Sequence, residues 1–398
     1  MRLDDLFDLI PLGLLRGVIF VFGLLWGSFL NVVIYRVPRE LSVVRPASHC
    51  PACGEPIAPW DNIPVVSYLL LRGRARCCGA RMSPRYPLVE LIGGALSLAV
   101  FEVFVLGLPG STSVGRAAAI YGADFALCLG LVAAAFIDAE HMYLPDAITL
   151  GGIVLGVFTA TLRGLPLTES LLGAAAGFVG VWFPFIFLYK GLLGRTGMGL
   201  GDAKLLGLAG AWFGWPGAVF ALFAGAVQGT VYALGLRVLG IEPKLPAAVL
   251  EEIAELEKAA AAGDEEAKKA LAEDPLTEDE DDAFIVRFFQ RLFGLRRDAA
   301  NGEGDASPAT PSAEPESAVG GTSSASEPST AAGETTGGET TGGETSGGEP
   351  TAEEPEPSAP TMRARIPFGP FLILAMLELL FARDWLESHL LPALWPEP

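Results

Sequence analysis

The chain has 398 residues, a mean hydropathy of +0.42 and 51% hydrophobic residues, which excludes an ordinary soluble globular domain and implies several membrane-crossing segments. Its net charge of −19 is local, because residues 241–360 hold 28 acidic side chains against 8 basic ones. The acidity describes one insert and says nothing of what the membrane body binds; no nucleic acid is expected as a partner.

A membrane-crossing helix needs about 20 apolar residues. Hydropathy predicts eight such spans, at roughly 13–35, 88–108, 118–137, 146–162, 169–190, 203–214, 216–239 and 366–382. The sixth is short and rich in glycine. The N-terminus, MRLDDLFDLIPLGLLRG, carries acids before its apolar run and no small-residue cleavage site, so it reads as a retained first span. The expected fold is an all-α polytopic membrane protein of about eight transmembrane helices, with a small cytosolic Cys-rich loop and a long disordered acidic insert. In segments, this is a first helix (1–35), a cytosolic Cys-rich loop (36–87), a transmembrane body (88–240), a helical insert (241–300), an acidic linker (301–362) and a last helix with the C-terminus (363–398).

Basic residues flanking the spans set the orientation. The loop 36–87 contains eight arginines, whereas the loops near 109–117 and 163–168 hold only Arg116 and Arg163. The first loop is therefore expected in the cytosol. Counting spans from there puts both termini outside and puts Asp138 and Asp202 at the same face. Four of the five cysteines, Cys50, Cys53, Cys77 and Cys78, share that first loop. In a reducing compartment such a cluster favours a metal over disulfides, with zinc the first candidate. Cys50 and Cys53 form a regular C-x-x-C pair followed by Gly54; Cys77 and Cys78 are adjacent, and His49 is an alternative fourth ligand. Cys128, inside an apolar run, is expected to be a small core residue.

Ionisable groups at membrane depth are costly and usually face the bundle interior, pair or work. Asp138 closes the third predicted span in AAAFIDAEHMYLPDAI, where no new helix starts to be capped. Asp202 in GMGLGDAKLLGL has two readings, an N-terminal cap for the sixth span or a functional acid. Asp146 after Pro145 is expected to cap the fourth span. Glu90 is expected to favour the dipole of the second span, Glu378 to face the bundle interior, and Lys204 to orient a carboxylate or mark the interface. Two neighbouring carboxylates hold one proton between them and can activate water against a peptide carbonyl. No GxSxG, HExxH or phosphate-loop pattern competes. A transporter using Asp138 and Asp202 as an ion site is the alternative.

In the insert, residues 246–272 are rich in Ala, Glu, Leu and Lys and predict a helix or helical pair. Residues 284–297 mix aromatic residues with arginines, which suits either a helix on an anionic lipid surface or one packed on the protein. Residues 301–360 lack Lys, Arg and aromatic residues and repeat ETTGG, ETTGG, ETSGG, a composition expected to be disordered.

GSFLNVVIYRVP (27–38), the Cys loop (49–91), IDAEHMYLPD (137–146), GMGLGDAKLLGLAGAWFGW ending at Trp215 and IPFGPFL (366–372) together resemble type IV prepilin peptidases. The resemblance covers nearly everything outside the insert, in order. It implies cleavage of basic leader peptides from type IV prepilins or type II secretion pseudopilins at the cytoplasmic face of the bacterial inner membrane. It also implies N-methylation of the new N-terminus with S-adenosylmethionine as methyl donor, and contact with pilus or secretion assembly proteins. Asp138 matches the first catalytic Asp of the family and Asp202 the Asp of its GxGD motif. The family pattern would place cysteines at 75 and 78, where this chain has Ala75, Arg76, Cys77 and Cys78. Asn31, Arg36, Trp60, Asp61 and Asn62 are, by resemblance only, contributors to a methyl-donor pocket, with loop structure as their other reading.

Overall fold

The computed structural model of the chain describes residues 1–193, 197–273 and 366–389. Those residues form helices and no β-strand; three isolated bridges occur in loops. The helices are α1 (Leu3–Leu9), α2 (Leu12–Arg36), α3 (Val66–Leu70), α4 (Arg85–Val100), α5 (Val114–His141), α6 (Asp146–Thr159), α7 (Leu167–Val181), α8 (Tyr189–Leu193), α9 (Leu200–Val238), α10 (Ala247–Ala261), α11 (Glu265–Glu273) and α12 (Gly369–His389). Short π-helical turns extend α4 to Val105 and α7 to Leu188.

Six helical stretches among the described residues are long and apolar enough to cross a membrane: Leu12–Arg39, Arg85–Val105, Val114–His141, Asp146–Arg163, Leu167–Leu188 and Leu200–Val238. Their outward faces carry large exposed apolar groups, such as Val154, Phe158 and Leu172, as a lipid-facing surface requires. The core runs through α5, whose Cys128, Leu131, Ala134 and Ile137 are fully buried. It continues into the first half of α9 and one face of α12. Cys128 is thus a core residue, as its apolar surroundings imply.

The last of the six is two helices in one run. A straight helix of 39 residues would extend about 58 Å, twice the hydrocarbon thickness. Gly214 breaks it with φ 73° and ψ 179°, a conformation open essentially to glycine, and Pro216 follows at once. A methyl group on Gly177 of α7 would meet both Leu206 O at 2.2 Å and Ala218 Cβ at 3.1 Å. Residues twelve apart in a continuous helix are about 18 Å apart, so the chain must double back near Gly214. The sixth and seventh predicted spans therefore pair as a hairpin against α7. They approach so closely that a Cβ on Gly210 would sit 1.9 Å from Gly173 O.

Two links tie α6 to the short first arm of α9. Near the start of both helices, Lys204 Nζ donates to Asp146 Oδ1 at 2.5 Å. At the other end, Trp212 Nε1 donates to Gly152 O at 2.9 Å. There Arg163 lies 4.0 Å over the Trp212 ring and donates to Trp212 O and Gly156 O. Asp146 is the first residue of α6 and makes no side-chain cap; its partner is Lys204, because a carboxylate at that position sits one residue too late to reach the first free amides. The helical pair expected over 246–272 is α10 and α11, and α10 buries Val249 and Ile253. The segments 284–297 and 301–360 lie outside the described residues.

Candidate active site

Asp138 occupies the last turn of α5 and is 6% exposed. The helix stops four residues later, where Met142 adopts φ 52° and donates its N–H to Asp138 O at 2.8 Å. The chain then runs through Leu144 and Pro145 into α6. Asp202 is the third residue of α9, after the N-capping Gly199, and is half-buried. Its carboxylate turns back toward Gly199, where a built Cβ would lie 3.3 Å from Asp202 Oδ2. A carboxylate in the first helical turn favours the helix dipole, which leaves both readings of this residue open.

The loop after α5 packs on the turn before α9, which puts both acids at one end of the bundle. A Cβ on Gly201 would lie 3.1 Å from Leu144 Cβ, so the loop packs closely on this glycine. The Oδ2 atom of Asp138 is buried with no hydrogen-bond partner. Gly369, at the start of α12, closes the site beside that atom.

The four loop cysteines converge, with all their sulfurs within 4.8 Å of one another. Cys50 and Cys78 are 3.7 Å apart, and Cys53 and Cys77 3.3 Å. Four thiolates around one tetrahedral ion at about 2.3 Å would stand roughly 3.8 Å apart, so the set fits a metal. His49 is not among the converging groups; its Nδ1 lies 3.3 Å from Ala47 O.

Two matching turns build this cluster. In the first, Gly54 N donates to Cys50 O and Cys50 N to Glu55 O, both at 2.8 Å; in the second, Gly79 N donates to Ala75 O and Ala75 N to Ala80 O, also both at 2.8 Å. Gly54 and Gly79 both take positive φ. Ala75 therefore holds the place of Cys50, and Cys77, two residues on, supplies the fourth sulfur. The backbone N–H groups of Ala52 and Cys53 pull the Cys50 thiol down to about 7. Sharing hydrogen bonds with Cys53 pushes Cys77 up to about 12.

A cavity of about 580 Å³ opens between this loop and the ends of α2 and α4. Asn31, Arg36, Asp61 and Asn62 line it; Trp60 does not, and is 66% exposed. Asn31 donates to Tyr86 O at 3.1 Å, while its Oδ1 is buried without a partner. Arg36 spends its guanidinium on Ser42 O and Pro46 O, at 2.9 and 2.8 Å. Arg76 pairs with Asp61 at 2.8 Å and holds its carboxyl below the usual range. Glu90 lies beyond the first turn of α4, where the dipole no longer reaches, and accepts the Val65 N–H at 2.7 Å. Glu378 accepts from Gln228 Nε2 at 2.9 Å, joining α12 to the second arm of α9.

Sequence reasoning passed over Asp124, an acid 1% exposed in the middle of α5 whose Oδ2 lacks a partner and which feels the charge of Arg163. The signal was present, since Asp124 interrupts an apolar run just as Asp138 does. At 1.5 Å per residue it lies about 21 Å from Asp138 along the helix and belongs to a different level.

Residues 21–104 match the bacterial peptidase A24 N-terminal domain, and residues 125–234 match the type IV leader peptidase family. The chain is similar to proteins named prepilin leader peptidase/N-methyltransferase. The protein from Neisseria gonorrhoeae is 39% identical over 249 residues, covering 55% of this chain and 81% of that protein. The one from Klebsiella pneumoniae is 41% identical over 204 residues, covering 50% and 84%, and the one from Pseudomonas aeruginosa is 40% identical over 218 residues, covering 48% and 71%. No solved structure matches the chain. With relatives matched at this identity across most of their own length, and with the four loop cysteines in one matched segment and Asp138 and Asp202 in the other, the chain belongs to the type IV leader peptidase family.

Proposed function

We propose that the protein cleaves the leader peptides of type IV prepilins or type II secretion pseudopilins and methylates the N-terminus so released. The observation that supports the first activity is the packing of the loop that follows Asp138 on the turn that carries Asp202, at Leu144 and Gly201. Between two adjacent carboxylates one proton is shared. The ionised member takes a proton from water as the water attacks the scissile carbonyl; the protonated member donates to the carbonyl oxygen. Burial at the helix ends excludes bulk water from all but the attacking molecule.

The second activity is supported by the cavity under the Cys loop. Asn31, Asp61 and Asn62 would hold the methyl donor, which supplies an electrophilic methyl group when bound. Cys50, Cys53, Cys77 and Cys78 would hold zinc in a closed four-sulfur site, whose part is to fix the two turns that wall this cavity. Arg36 and Glu90 act as braces of the loop, since their polar atoms are spent on its backbone.

The membrane arrangement follows the basic loop. With the hairpin of α9 counted as two spans and α12 as the last, eight helices cross the bacterial inner membrane, both termini face outward, and the dyad and the Cys loop share the cytoplasmic face. The segments are then a first helix (1–35), the Cys loop (36–87), the transmembrane body (88–240), the helical insert (241–300), a tether (301–362) and the last helix (363–398).

In membranes given a prepilin and a labelled methyl donor, mass spectrometry is expected to find cleavage and methylation by the wild type. Neither Asp138→Asn nor Asp202→Asn should cleave. Cleavage at the normal rate by either variant overturns the two-acid mechanism; absence of cleavage by the wild type, with acid-dependent ion flux in vesicles, would favour a transporter.

A further inference from the structure

The IPFGPFL stretch (366–372) is the part of the sequence pattern that the two activities leave without a task, and it lies on the far side of the acidic insert. Its Gly369 is the first residue of α12. A methyl group built on Gly369 would lie 2.5 Å from Asp138 Oδ2 and 3.0 Å from Asp138 Cγ. No side chain fits there unless the carboxylate moves, and Asp138, 6% exposed in the last turn of α5, has little room to move.

The first turn of α12 also decides which donor faces that carboxylate. The N–H groups of Phe371 and Leu372 are both turned onto Phe368 O, at 3.1 and 3.3 Å. Pro370 has no N–H at all. The Gly369 N–H is the donor left over, on the residue that lies against the Asp138 carboxylate. Asp138 Oδ2, buried and without a hydrogen-bond partner, is the atom beside it. A helix start, a missing Cβ and an unpartnered carboxylate oxygen thus coincide at one point.

We infer that Gly369 is a positioning residue for Asp138: its missing side chain leaves the space that the carboxylate occupies. This rests on the two-acid reading of the site. It implies that the peptidase centre is complete only when α12 has returned across the insert, because the start of α12 forms the wall against that oxygen.

The test compares Gly369→Ala with Gly151→Ala, a helical position where a Cβ meets nothing within 4 Å, and with Asp138→Asn and Asp202→Asn, in full-length protein in membranes. Gly369→Ala is expected to lower kcat for leader cleavage by about tenfold or more, with KM within about twofold of wild type. Methylation of a pre-cleaved substrate should continue, and Gly151→Ala should behave as wild type. Cleavage by Gly369→Ala at the wild-type rate overturns the inference, as does loss of cleavage and methylation together, which marks a folding defect. If Asp138→Asn or Asp202→Asn still cleaves, the two-acid reading fails, and that outcome is distinct from a wild-type Gly369→Ala beside two dead Asp variants.

Discussion

Asp138, Asp146 and Asp202 stand close in the sequence pattern yet have different surroundings. Asp146 is exposed and pairs with Lys204, a contact of the kind that contributes about 0–1 kcal/mol. Asp146→Asn is therefore expected to lower cleavage by no more than about threefold and to leave thermal stability nearly unchanged. Assaying it beside Asp138→Asn and Asp202→Asn separates the interfacial pair from the two acids proposed to react; a loss as deep as theirs would place Asp146 in the chemistry. Asp138 was legible from the cost of an uncapped acid at a span end. Asp202 needed its sequence motif, because a helix cap explained it equally well. Asp124 met the same physical criterion and was overlooked, and Gly369 was illegible, since the absence of a side chain signals nothing until its neighbour is known.

The cysteines make a second case at this scale. The adjacent pair at 77 and 78 looks irregular in sequence, but the hydrogen bonds of the two turns show Ala75 standing where Cys50 stands in the first. Cys77→Ser should thus leave three sulfurs and a site that binds cobalt weakly, while Ala75→Cys combined with Cys77→Ser should restore a full four-sulfur spectrum. Cobalt absorption measures this without any enzymatic assay. An unchanged four-sulfur spectrum in Cys77→Ser would exclude Cys77 as a ligand. Bound thiols must be deprotonated, so metal retention in the wild type should weaken as pH falls.

Among the elements, hydropathy located the six apolar stretches long enough to cross a membrane, because lipid demands long apolar runs; of the eight spans expected, the sixth and seventh lie in the single run of α9, and the eighth, α12, is not among the six. The reversal in α9 was half visible: a short glycine-rich span beside Gly214 and Pro216. Its tight seat on α7 was not visible, since a glycine is equally at home in a loose helix. That seat has a testable cost. Gly210→Ala would drive a methyl to 1.9 Å from Gly173 O, and backbone cannot yield as a flexible side chain does. A destabilisation of about 1–3 kcal/mol is expected, seen as a lower thermal midpoint of the solubilised protein. Cleavage should fall too, because Asp202 rides on the same arm. Gly180→Ala, where a Cβ meets nothing within 4 Å, should change neither.

At the scale of the whole molecule the acidic insert poses the remaining question, whether it attracts a basic leader or only joins two helices. The described chain leaves the body at residue 273, after α10 has packed on α5, and rejoins it at 366, three residues before Gly369. Both anchors belong to the same compact unit. Removing residues 301–360 takes out 12 acids and no base, yet leaves about 32 residues between the anchors, enough to extend roughly 105 Å. Loop closure depends only on the logarithm of length, so shortening from about 92 to about 32 residues favours the folded state by about 1 kcal/mol. A joining segment therefore predicts that the deletion cleaves prepilin within about twofold of wild type, with a midpoint equal or slightly higher. An electrostatic attractor predicts a loss confined to low ionic strength, where the Debye length reaches about 30 Å, and vanishing near 1 M salt, where it is about 3 Å. Cleavage rates for the deletion and the full chain across that salt range decide between them, and equal rates throughout would leave the return of Gly369 to Asp138 as the one demand the active site makes on the insert.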